Sequence, residues 1–149
     1  MKNRNIIIIL ILSLIVSFCS SDTNRTQKRL YLSYLNELNI DIKEDACIII
    51  VSKEMCHSCV REALKALNGM EDKRKMAVLA GYSKKGMQQS FMKFQNIDFI
   101  SDSRNLLGNI KYQQINHPEP VFIQIEDNKV KKLVFIPFDQ LEESLEQIK

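Results

Sequence analysis

Residues 47–69 read CIIIVSKEMCHSCVREALKALNG, and the architecture of the chain can be read from them. The first part, Cys47 to Val51, is an unbroken apolar run rich in β-branched residues. Such a run fits a strand buried on both faces, because a half-exposed strand would alternate apolar with polar. Four residues, Ser52 to Met55, then lead to Cys56-His57-Ser58-Cys59. Beyond the second cysteine, Val60, Ala63, Leu64 and Leu67 fall at i, i+3, i+4 and i+7, the stripe of an amphipathic helix, and Gly69 suits its stop. The cysteine pair is therefore expected at the start of a helix that comes after a buried strand.

On either side of this stretch the pattern continues. Gln27 to about Leu38 carries Tyr31, Leu35 and Leu38 at helical spacing. Met76 to Ala80 reads as a second strand. Met87, Phe91 and Phe94 give a further helix its apolar stripe, and Ile97 to Ile100 is a short strand. Asp102 is placed to cap a helix running through about Ile110. The runs Val121–Ile125 and Val130–Ile136 flank Glu126 to Lys129 and predict an antiparallel hairpin. A last helix carries Leu141, Leu145 and Ile148. Strands alternating with helices and ending in a hairpin predict an α/β fold, a central mixed sheet flanked by helices.

The chemistry expected of the pair depends on its place. The first turn of a helix has unpaired N–H groups and the positive end of the dipole, so a thiolate there is favoured and its pKa falls. Cys56 is the candidate attacking thiol. Cys59, one turn on, is the candidate resolving thiol that breaks a mixed disulfide. His57 lies between them, and a cationic imidazole there would favour the thiolate further. Other uses of the pair stay open. A zinc site needs more donors, and only Cys47 and His117 offer themselves; inside an Ile-rich strand, Cys47 reads instead as a small core residue. Haem attachment needs His directly after the second cysteine, where Val60 stands. An inert structural disulfide stays open as well. A Met beside two cysteines is also seen in modules that hold a soft ion such as copper, although Met55 is one place too close to Cys56 for that loop.

The chain of 149 residues is 45% hydrophobic and 26% charged, which suits one domain with a real core. Three Pro and four Gly are too few for a disordered or collagen-like chain. The formal net charge is +3, and two of the positive charges, Lys2 and Arg4, lie in an N-terminal leader. In the rest, bases and acids are interspersed and nearly balanced, which argues against a nucleic-acid partner. The leader continues with an apolar run from Ile6 to Val16, about 16 Å of helix and too short to span a bilayer comfortably. It fits a secretory signal. Residues 1–18 resemble a bacterial lipoprotein signal, with Cys19 as the lipid-bearing N-terminus, residues 19–26 as a polar tether and 27–149 as the folded domain. Phe18 departs from that pattern, which usually has a small residue there.

From Cys47 to the C-terminus, the chain resembles the thioredoxin superfamily, in particular the membrane-tethered TlpA/ResA type. Two elements carry the resemblance: the strand–CxxC–helix at 47–68, and the segment Glu119-Pro120-Val121 through Lys129. It implies that Pro120 is a cis-proline facing the cysteines and that the Glu119 backbone pairs with an extended substrate chain, Pro118 being the other claimant. It implies a thiol–disulfide oxidoreductase without a cofactor, acting on protein thiols or disulfides as a monomer at the bacterial cell envelope, held to the membrane by a lipid and facing the periplasm or exterior. A soft-metal binding module, or a thioredoxin-fold binding protein without turnover, would use the same cysteines. The sequence departs from the family at Met55, where Trp is common, at Ser58, where Pro is common, and at Ile50, where a buried acid often assists the resolving cysteine. Proton transfer would then fall to His57, Glu54, Glu119 or water.

Overall fold

The computed structural model describes residues 24–71, 73–83, 85, 91 and 93–148, the side chains of Phe138, Leu141 and Glu142 aside. Residues 24–37 are helical (α1), three residues further toward the N-terminus than the domain boundary read from sequence. Strand β1, Ala46–Ser52, leads into helix α2, His57–Gly69, and then into β2, Arg74–Ala80, and β3, Asp98–Asp102. Strands β4, Val121–Glu126, and β5, Lys129–Phe135, form the hairpin, and α3, Leu141–Ile148, closes the chain. The expected leader lies outside the described residues. So does most of the helix expected around Met87, although Phe91 and Phe94 are in place and buried.

The five strands form one sheet in the order β3-β2-β1-β4-β5. β1 runs parallel to β2, and β2 to β3, whereas β4 is antiparallel to both β1 and β5. This is the mixed, helix-flanked sheet the sequence predicts. β1 lies at its centre, and its run of Ile residues is explained by that position, because both faces are covered. Ile48 and Ile50 enter one core with Tyr31, Tyr34 and Leu35 of α1. Cys47, Ile49 and Val51 enter the other with Leu64 and Leu67 of α2 and Ile148 of α3. Ile50 thus points away from α2, into the core beneath α1.

The β4–β5 turn is tight because Asp127 and Asn128 both take positive φ, 50° and 60°. Two consecutive left-handed residues match the twist of a two-residue hairpin, and Asp and Asn tolerate that region better than other non-glycine residues.

Two expectations are corrected. Asp102 caps, but the segment after it forms a pair of 3-10 turns, Leu106–Gly108 and Ile110–Ile115, in place of an α-helix. The Asp102 carboxylate accepts the N–H groups of Leu106 and Leu107 at 2.9 and 3.2 Å and the Tyr34 hydroxyl at 3.0 Å. Held from both sides, the segment tightens, and Asn105 enters the left-handed region at φ 50°. The second correction concerns Pro120. Every peptide bond among the described residues is trans, Glu119–Pro120 included. Trans is the intrinsically preferred X–Pro isomer, and it leaves the Pro120 carbonyl in the ladder, accepting the Ile136 N–H at 2.8 Å.

Candidate active site

The loop between β1 and α2 is held by its own backbone. Lys53 N–H donates to Ala80 of the neighbouring strand at 3.1 Å, and Met55 N–H donates to the Ser52 carbonyl at 3.1 Å. Met55 is buried, with its sulfur accepting the Ser52 N–H at 3.2 Å, while the Ser52 hydroxyl accepts the Glu54 N–H at 3.2 Å. Gly81, at the end of β2, has φ +75° and lies under the Lys53 stem, so close that an added Cβ would meet it at 3.1 Å. A side chain at 81 would therefore be strained by its backbone and would press on the Lys53 stem.

This loop delivers Cys56 to the N-cap of α2. Its carbonyl accepts the first helical bond, from Val60 N–H at 3.1 Å, while its side chain is exposed to solvent. Cys56 is exposed and Cys59 is buried, the two unbridged. The sulfur of Cys56 lies 2.9 Å from the Ser58 hydroxyl. Hydrogen bonding from the Cys59 thiol, then from the Ser58 hydroxyl and nearby backbone N–H groups, lowers the Cys56 pKa to about 7. Cys59 moves the other way, to about 11: burial disfavours its thiolate first, the bond to Cys56 next, and the Glu119 charge adds to both. The pair is polarised into a ready nucleophile and a protonated partner.

The remaining expected site residues occupy different places. His57 is exposed on the first residue of α2 and is not among the groups that hold the Cys56 thiolate. Ser58 takes that role. The register puts Val121 beside Ile50, so Glu119 and buried Pro120 lie at the end of β1 that leads to Cys56. Cys47 pairs with Gln124 at the other end of β1, about 16 Å of strand away. That separation removes it from any zinc set with Cys56, Cys59 and His117. Among the described residues, no three His, Cys, Asp or Glu side chains gather as a metal site. Cys19 lies outside the described residues.

Sequence reasoning missed a depression of about 330 Å³ beside the cysteines, lined by Ser52, Glu54, Met55, Asn116, His117 and Pro118. The His117 ring tilts onto Phe135, centroids 4.4 Å apart, and its buried Nε2 has no hydrogen-bond partner among the described residues. Only the nearness of His117 to Pro120 in sequence could have signalled it.

No family model matches the chain, and no curated protein matches it. Among solved structures, it is similar to a secreted Mycobacterium tuberculosis disulfide oxidoreductase homologous to E. coli DsbE. The identity is 15%, the likeness covers 70% of this chain and 82% of that one, and the TM-score is 0.48.

Proposed function

We propose that this protein is a thiol–disulfide oxidoreductase that works through Cys56 and Cys59. The observation that carries the reading is the opposed behaviour of the two thiols, one exposed with a pKa of about 7 and the other buried at about 11. In the reducing direction, the Cys56 thiolate attacks a protein disulfide, forms a mixed disulfide and expels one substrate thiolate. Cys59 then gives up its proton, attacks the Cys56 sulfur and releases the second substrate thiol, leaving a 56–59 disulfide. In the oxidising direction the same steps run backward, and the electrons pass from a substrate dithiol to the pair. Glu119 is the nearby carboxylate that can receive the Cys59 proton, with Glu54, His57 or water as alternatives. Glu119 and Pro120 are assigned to the wall along which the substrate chain lies.

The leader supports an exported chain cut before Cys19 and lipid-bound there at the envelope of a bacterium, where we take it to work as a monomer. Measuring the reduction potential and Cys56 pKa of the chain from Ser20 onward, with Cys56→Ser as control, tests the chemistry. A reversible 56–59 disulfide and a pKa near 7 are expected. A pair that never cycles and copurifies with stoichiometric copper or zinc would overturn it. For the anchor, Cys19→Ala is expected to release the protein from membranes; an unchanged membrane fraction counts against lipidation.

A further inference from the structure

We infer that the N-terminal half of α1 is a docking face for an anionic phospholipid surface. Arg25, Lys28 and Arg29 lie within its first turns. At 100° per residue, Arg25 and Arg29 fall away from the stripe of Tyr31, Tyr34 and Leu35, which faces the core, and Lys28 lies beside Leu35 at the edge of that stripe. Arg25 and Arg29 are exposed, Lys28 is half-buried, and none of the three pairs with an acid among the described residues. From Cys19 to Asn36, these three bases face a single acid, Asp22. The N-terminal part of a helix is where the dipole favours acids, so helix formation does not account for three bases there.

Charge is also distributed across the sheet. α1 covers one face; α3, on the opposite face, exposes Glu143 and Glu146, has Asp139 just before it, and carries no base among its described residues. α2, on the same face as α3, exposes Arg61 and Lys65, both set against Glu62, so the repulsion comes from the α3 end. A surface of negative charge attracts the α1 bases and repels the α3 acids, which gives the domain a preferred orientation. The inference rests on the tethered reading for its geometry. Arg25 lies six positions beyond Cys19, at most about 20 Å of extended chain, so a lipid on Cys19 keeps these bases beside the headgroups. A tether turns a weak attraction into an intramolecular one, so affinity too low to recruit a free protein suffices to orient a bound one.

The test uses the chain from Ser20 onward, which retains every residue of both cores and has no lipidation site. It is floated with vesicles of phosphatidylglycerol in phosphatidylcholine and with phosphatidylcholine alone. Binding to the anionic vesicles only is expected, lost as salt rises, and weakened roughly fivefold per base, about a hundredfold in the triple variant Arg25→Gln, Lys28→Gln, Arg29→Gln. The 56–59 redox potential of that variant should be unchanged. Equal binding to both vesicles, or anionic binding that the triple variant retains, overturns the inference. Because Cys19 is absent, these outcomes are independent of whether the anchor exists, which the Cys19→Ala membrane fraction decides separately.

Discussion

The Ser58 hydroxyl lies 2.9 Å from the sulfur of Cys56, at the open end of α2. The two residues between the cysteines thus divide unequally, since Ser58 touches the nucleophile and His57 is exposed to solvent. Ser58→Ala removes a donor to the thiolate, so the Cys56 pKa should rise from about 7 toward that of a free thiol. Iodoacetamide alkylation measured against pH reads this directly. The midpoint moves up, and the rate below pH 7 falls several-fold. Losing stabilisation of the reduced form also makes the pair more reducing, by roughly 10 mV at pH 7 for a tenfold rise in proton affinity. His57→Ala should move the midpoint less than Ser58→Ala, and the reverse order would return the imidazole to the thiolate-stabilising role expected from its position between the cysteines.

Glu119 raises the Cys59 pKa from across the site, after burial and the bond to Cys56. Glu119→Gln should therefore have two opposed effects. The Cys59 thiolate becomes easier to form, and a nearby proton acceptor is lost. The first lowers the pKa of Cys59, measurable in a Cys56→Ser background where coupling between the thiols is gone. The second slows resolution of a mixed disulfide formed at Cys56. A Glu119→Gln protein that resolves as fast as its parent at pH 7 would remove Glu119 from proton transfer.

Much of this arrangement is legible in the sequence, for physical reasons that differ by element. β1 is read correctly because a central strand covered on both faces leaves no polar position, and α2 because a helix on one face leaves a stripe. The hairpin is legible because Asp127-Asn128 tolerates left-handed backbone. What escapes depends on contacts distant in sequence. The turns after β3 carry a helix-like pattern and a good cap, but Tyr34, 68 positions earlier, also claims the Asp102 carboxylate. The spacing marks Ser58 as a site residue, but its contact with the nucleophile and not the resolving thiol is a matter of side-chain rotamer. The depression at His117 forms only when the loop before β4 meets the loop after β1.

Asp102 is 1% exposed and binds three donors, so its loss strands more than one buried group. Asp102→Ala leaves the Tyr34 hydroxyl and two backbone N–H groups unpaired and should destabilise the fold by about 3–5 kcal/mol. Tyr34→Phe deletes one donor and leaves the carboxylate its two backbone partners, so about 1–2 kcal/mol is expected. Urea denaturation of the reduced proteins distinguishes the two. The double variant should cost less than the sum, because the two residues share one bond.

Gly81 connects fold stability to the loop that carries Cys56. Its φ of +75° disfavours any side chain, and a Cβ there would push on the Lys53 stem at 3.1–3.3 Å. Lys53 N–H is tied to Ala80, and the next two residues carry the turn that buries Met55 before Cys56. Gly81→Ala should therefore cost about 1–2 kcal/mol from left-handed backbone. Lys53 has a flexible stem that can swing clear, so Gly81→Ala combined with Lys53→Ala should relieve only the steric part and keep the backbone cost. The loop shift should also appear at the site as a changed Cys56 alkylation rate in the single variant, restored in the double. If stability and alkylation are both unaffected by Gly81→Ala, the β2 end does not hold the loop, and the position of Cys56 must be set by the Ser52–Met55 turn alone.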